Sequence, residues 1–105
     1  MTLERRVHVI DPAGLHARPA ARFVQVASRF ASRITIEVGG RDADAKSLIA
    51  VLGLTVRPGA DLTIKVDGDD AAPALTALLG ELEPFITPTQ SDAGEPPAQP
   101  APARA

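Results

Sequence analysis

The chain has 105 residues and a mass of 10.9 kDa, with 11 basic and 13 acidic side chains giving a formal charge of −2. That length confines it to one small domain. Cys, Trp and Tyr are absent and only Phe23, Phe30 and Phe85 are aromatic, which excludes disulfides, thiol nucleophiles and Cys-ligated metals and disfavours recognition by base stacking.

Alternation of Leu3, Val7 and Val9 with Glu4, Arg6 and His8 predicts a strand over 2–10 with one wet face. Asp11-Pro12-Ala13-Gly14 is a turn-forming run. The period then becomes helical: Ala20, Phe23, Val24, Ala27, Phe30 and Ala31 oppose Arg18, Arg22, Gln25 and Arg29, predicting an amphipathic helix from about His16. Ile34, Ile36 and Val38 restore period two, and Gly39-Gly40 signals a hairpin into a weaker strand over Arg41–Ala45. Ser47 stands where an N-cap belongs, before Leu48, Ile49, Val51 and Leu52, with Gly53 as the expected stop. Leu62, Ile64 and Val66 form a last strand. Asp69 or Asp70 caps a closing helix that carries Leu75, Leu78, Leu79 and Leu82, with Pro73 tolerated in its first turn. The order βαββαβα, with one apolar face per strand and one stripe per helix, implies an α+β fold with the helices on one face of a sheet.

After Pro84 the composition changes. Six of the ten prolines lie at 84 or beyond and no branched aliphatic follows Ile86, so a folded domain over 1–86 and a Pro/Ala-rich disordered tail over 87–105 are expected. Charge is uneven as well: residues 1–34 hold six arginines against Glu4 and Asp11, whereas 61–105 hold eight acids against Lys65 and Arg104. A basic first third suits an anionic substrate or an acidic protein partner; without interleaved aromatics it is a poor nucleic-acid surface. No apolar run of about 18 residues occurs, so no membrane insertion is expected, and the lack of cysteine makes the cytoplasm the default location. Asp67, Asp69 and Asp70 lack the spacing of a calcium loop. No metal or cofactor is assigned.

The stretch Gly14-Leu15-His16-Ala17-Arg18-Pro19-Ala20 sets an imidazole at the junction of a turn and a helix. First-turn amides have no partner inside a helix, and the summed peptide dipoles favour an anion there. Pro19 has no N–H, which leaves the amides of Ala17 and Arg18 as phosphate donors, with the Arg18 guanidinium beside them. A neutral imidazole at that point offers a nitrogen lone pair to phosphorus. Spacing alone favours the plainer reading, a histidine that merely begins a helix.

Two separated motifs, GLHARPA at 14–20 and AKSLIAVLGL at 45–54, resemble HPr, the histidine-containing phosphocarrier family of the phosphoenolpyruvate-dependent sugar phosphotransferase system, over residues 1 to about 84. The resemblance implies an open-faced βαββαβα sandwich, with a mainly antiparallel four-stranded sheet and three helices on one face. It carries phosphorylation onto His16, phosphate stabilisation onto Arg18 and a regulatory serine onto Ser47. It also implies a carrier rather than an enzyme, taking a phosphoryl group from enzyme I on His16 and passing it to an enzyme IIA. Phe23, Leu48 and Leu52 with Arg22 are the expected docking residues, and a monomer is expected. The alternative is a nitrogen-type or regulatory phosphocarrier that acts through Ser47 with a serine kinase/phosphorylase and a transcriptional regulator. A hydrolase with a histidine nucleophile is disfavoured, because no second histidine or carboxylate has motif-grade placement beside His16. One departure is Ala13, which stands where many relatives have a small polar residue.

Overall fold

In the computed structural model, whose described residues are 1–88, the alternating start becomes β1 (Thr2–Val9). It is followed by α1 (Ala17–Ala27), β2 (Arg33–Val38), β3 (Arg41–Asp44), α2 (Leu48–Gly53), β4 (Asp61–Asp67) and α3 (Ala71–Leu82). A 3₁₀ turn over Glu83–Phe85 then leads into β5 (Ile86–Pro88). The strands form one antiparallel sheet in the order β3-β2-β4-β1-β5. Register sets Val7 opposite Leu62, Ile34 opposite Val66 and Ile36 opposite Ile64, so the apolar residues of three strands share one face.

That face is covered by the helices, as the open-faced sandwich requires. Phe23, Val26 and Ala27 of α1, Val51 of α2, and Leu75, Leu78 and Leu82 of α3 are buried with the strand residues in a single core. Complete burial of a side chain such as Phe23, Leu62 or Leu78 contributes about 1.5–3 kcal/mol each, which is what holds such short elements in place. On the other face, Lys65 Nζ lies 2.9 Å from Glu37 Oε1 and 3.8 Å from Glu4 Oε2, and His8 Nδ1 lies 3.0 Å from Asp61 Oδ1. These are cross-strand polar pairs on a solvated surface.

Four expectations change in detail. The sheet has five strands rather than four, because Val7, His8 and Val9 of β1 pair with Pro88, Thr87 and Ile86. Residues 87 and 88, expected in the tail, therefore belong to the sheet, and the disordered segment expected beyond them lies outside the described residues. Gly53 is the last residue of α2 rather than its stop; the left-handed turn falls on Thr55, with φ of 54°. Asp70 occupies the N-cap of α3 and its carbonyl accepts from the Ala74 amide at 3.0 Å, but its side chain makes no bond to the helix. Its carboxylate instead accepts from the amides of Ala31 and Ser32, each at 2.9 Å, and from the Ser32 hydroxyl. Gly39 and Gly40 both have positive φ, 58° and 82°, as a two-residue hairpin with a type I′ turn demands.

Candidate functional site

Where β1 ends, the amides of Ile10 and Asp11 both donate to the Phe85 carbonyl, at 2.9 and 3.3 Å. Asp11 then organises the turn: its Oδ1 accepts from the Ala13 amide at 2.7 Å and its carbonyl from the Gly14 amide at 2.8 Å. This is an Asx turn, the arrangement for which aspartate before proline is suited. Gly14 follows with φ of +68°, and a Cβ there would overlap the Val56 carbonyl oxygen and lie 3.1 Å from Arg57 Cα. Only glycine meets both demands. Leu15 donates its amide to the Val56 carbonyl at 3.1 Å and buries its side chain.

The chain leaves this anchor in an extended conformation at His16, which is the N-cap residue of α1, with φ −88° and ψ −173°. Its carbonyl accepts the first helical bond, from Ala20 at 3.0 Å, while its exposed side chain makes no capping bond. The ring is therefore free of the backbone. Ala17 and Arg18 are exposed at the first two helical positions, where an amide has no acceptor within the helix. Pro19, at the third, is buried. The structure thus brings His16 and the Ala17 and Arg18 amides to one helix start, with Arg18 itself exposed. First-turn amides of this kind suit an anion.

Ser47 lies at a separate helix start. Its Oγ accepts from the Ala50 amide at 3.2 Å as the N-cap of α2, and the residue is half-buried. Leu48 and Leu52 are 36% and 40% exposed on the same short helix. Phe23 requires a correction: it is 0% exposed and belongs to the core, because its helical spacing from Ala20 and Ala27 turns it onto the sheet. It forms no part of any docking surface. Arg22 is exposed, but its Nε lies 3.1 Å from Glu81 Oε1, so its charge is compensated by α3.

Several residues at or near the site escaped the sequence reading. Ile49, 85% exposed, is the most prominent apolar side chain on α2. In a six-residue helix with one buried position, Val51, the flanking apolar residues have nowhere to bury, and that brevity was the available signal. Arg57 is exposed, and its backbone touches Gly14; only tertiary structure brings it there. Phe85 is half-buried and its ring stands perpendicular to the His16 imidazole, with centroids 6.4 Å apart and an interplanar angle of 88°. His8, the other histidine, is held by Asp61 on the open face of the sheet. Among the described residues, no group of three or more His, Cys, Asp or Glu is placed to hold a metal, and no helix is long and apolar enough to cross a membrane.

Comparison with known proteins bears on this arrangement. The family described as the PTS HPr component phosphorylation site matches residues 3–83. The phosphocarrier protein HPr of Haemophilus influenzae is 46% identical, over 73% of this chain and 94% of its own length. The HPr-like protein Crh of Halalkalibacterium halodurans is 41% identical, over 77% of this chain and 96% of its own. A crystal structure of HPr from Bacillus anthracis superposes with a TM-score of 0.71 at 42% identity, covering 76% of this chain and 95% of that one.

Proposed function

The chain belongs to the HPr family of phosphocarriers of the phosphotransferase system, and from that premise we propose that it accepts a phosphoryl group from enzyme I on His16 and yields it to a sugar-specific enzyme IIA in the cytoplasm. Like its family it is a carrier rather than an enzyme. The observation that carries the proposal is the exposed, uncapped imidazole of His16 at the start of α1, next to two amides with no helical acceptor.

The lone pair of Nδ1 attacks phosphorus, and the P–N bond to His16 forms as the donor's bond to phosphorus breaks and its electron pair leaves with the donor. The other ring nitrogen keeps its proton, so the phosphorylated ring begins as an imidazolium and is itself a good leaving group for onward transfer. The Ala17 and Arg18 amides and the Arg18 guanidinium hold the phosphoryl oxygens. Leu48, Ile49 and Leu52 form the apolar docking surface, and exposure of the site lets two partners use it in turn. The chain acts as a monomer.

Incubation with enzyme I and labelled phosphoenolpyruvate tests this. The expected product is an acid-labile, base-stable phosphoryl group that is lost in His16→Ala and chases to an enzyme IIA. No labelling of the unaltered chain would end the relay reading; rapid spontaneous release would point to hydrolysis.

A second reading, regulation through Ser47, is favoured by its place at a helix N-terminus beside the exposed leucines. Phosphorylation would set nearly two negative charges within the docking surface, where the helix dipole tolerates them. A serine kinase/phosphorylase and a transcriptional regulator would then be the further partners. On this reading Ser47→Asp slows transfer from enzyme I by about tenfold or more; transfer at the unaltered rate would count against it.

A further inference from the structure

We infer that Phe85 is a positioning residue for His16, and that the segment from the 3₁₀ turn through β5 is a brace built onto the phosphoryl-acceptor site. The inference rests on the proposed role of His16 and deepens it. The family match ends at residue 83, so Phe85 and the whole of β5 lie beyond the part of the chain that defines the family. Yet this addition reaches the site at two levels.

At the backbone, the Phe85 carbonyl accepts from both Ile10 and Asp11, the two residues that open the turn leading to His16. Pairing of Ile86 with Val9 and of Thr87 with His8 fixes the same junction from the next strand position. At the side chain, the ring of Phe85 meets the imidazole perpendicularly at 6.4 Å between centroids, within the range in which edge-on aromatic pairs attract. Because His16 makes no capping bond, this contact is what restrains the ring. Held there, the imidazole loses part of its rotational freedom before the donor arrives, and the phenyl ring covers one flank of it. Pre-orientation of this kind speeds acceptance, and the covered flank slows hydrolysis of the phosphorylated form.

The test compares the unaltered chain with Phe85→Leu, Phe85→Ala and Phe85→Tyr. The imidazole C–H resonances of His16 are read by NMR, together with the rate of phosphoryl gain from enzyme I and the half-life of the phosphorylated form. Phe85→Leu keeps apolar volume without a ring, so it separates aromatic contact from folding. The expected result is a shift of the His16 resonances in Phe85→Leu and Phe85→Ala with about a two- to tenfold loss in rate. Resonances and rate should both return in Phe85→Tyr. If the resonances and rates of Phe85→Leu match those of the unaltered chain, the inference is wrong while His16 remains the acceptor. If the unaltered chain takes no label, the acceptor reading fails and the positioning role falls with it.

Discussion

Thr55 is, among the described residues, the one non-glycine with positive φ, at 54°. A β-branched side chain is poorly suited to that region, at a cost of about 1–2 kcal/mol. The turn persists because the next residue, Val56, accepts the Leu15 amide and packs against Gly14. Thr55→Gly should therefore raise stability by about 1 kcal/mol, the relief of strain outweighing the entropy of glycine, as a rise in denaturant midpoint will show. Gly14→Ala works in the opposite sense. Its Cβ would overlap the Val56 carbonyl, so a loss of about 2–3 kcal/mol in the same assay is expected, with slower acceptance of phosphate. Arg57 is exposed with its backbone at this contact, and, Arg22 being paired with Glu81, it is proposed to join Arg18 as a cation for acidic partners. Arg57→Glu should slow transfer from enzyme I by at least about tenfold at low salt and far less at high salt, since the loss is one of electrostatic steering. The helix start at His16 was legible because turn residues immediately precede a 3.6-residue period. The burial of Phe23 was legible in that same period, since it shares a stripe with Ala20 and Ala27. The left-handed turn at Thr55 had no local signature: Gly53 is the better candidate by composition, and tertiary bonding at Val56 overrides it.

Among the elements, β1, α1, β2, β4 and α3 follow from unbroken periodicity, and the β2–β3 hairpin from its two glycines. What remained hidden was β5, three residues ending in proline whose partner is a strand nearly eighty positions earlier. Composition marks such a segment as tail, and only the unpaired edge of β1 recruits it. The entry to α3 is legible in position, with Asp70 at the N-cap, but not in the partner of its side chain. Asp70 suits an N-cap, but its carboxylate ties the segment between α1 and β2 to the start of α3. Bonds from the Ser32 hydroxyl, then from the Ala31 amide, hold this carboxyl below its ordinary value of 3.8. A carboxyl depressed in the folded state contributes stability that is complete above the unfolded value and is lost as pH falls through the folded one. Asp70→Asn should thus be less stable at neutral pH, and its stability should decline less steeply as pH falls below 3.8, as urea titrations carried into acid will show.

For the molecule as a whole, the sheet divides two tasks. One face builds the core with the helices, while the other is solvated and carries charge pairs. Among these, Glu37 raises Lys65 above its ordinary 10.5 by hydrogen bonding and charge. That contribution is present below the unfolded value and lost only as pH rises through the folded one, so it is constant across the physiological range. Turns at one end of the sandwich gather Asp11, Gly14, Val56 and the Phe85 carbonyl around the base of His16, and there the imidazole is exposed. The central claim is that this one ring receives the phosphoryl group. The most direct measurement is ³¹P–¹H correlation NMR of the chain phosphorylated by enzyme I and phosphoenolpyruvate. The account predicts a single phosphoramidate signal correlated with the His16 ring protons; a signal on His8, or a phosphate ester on Ser47 in place of it, would contradict the account.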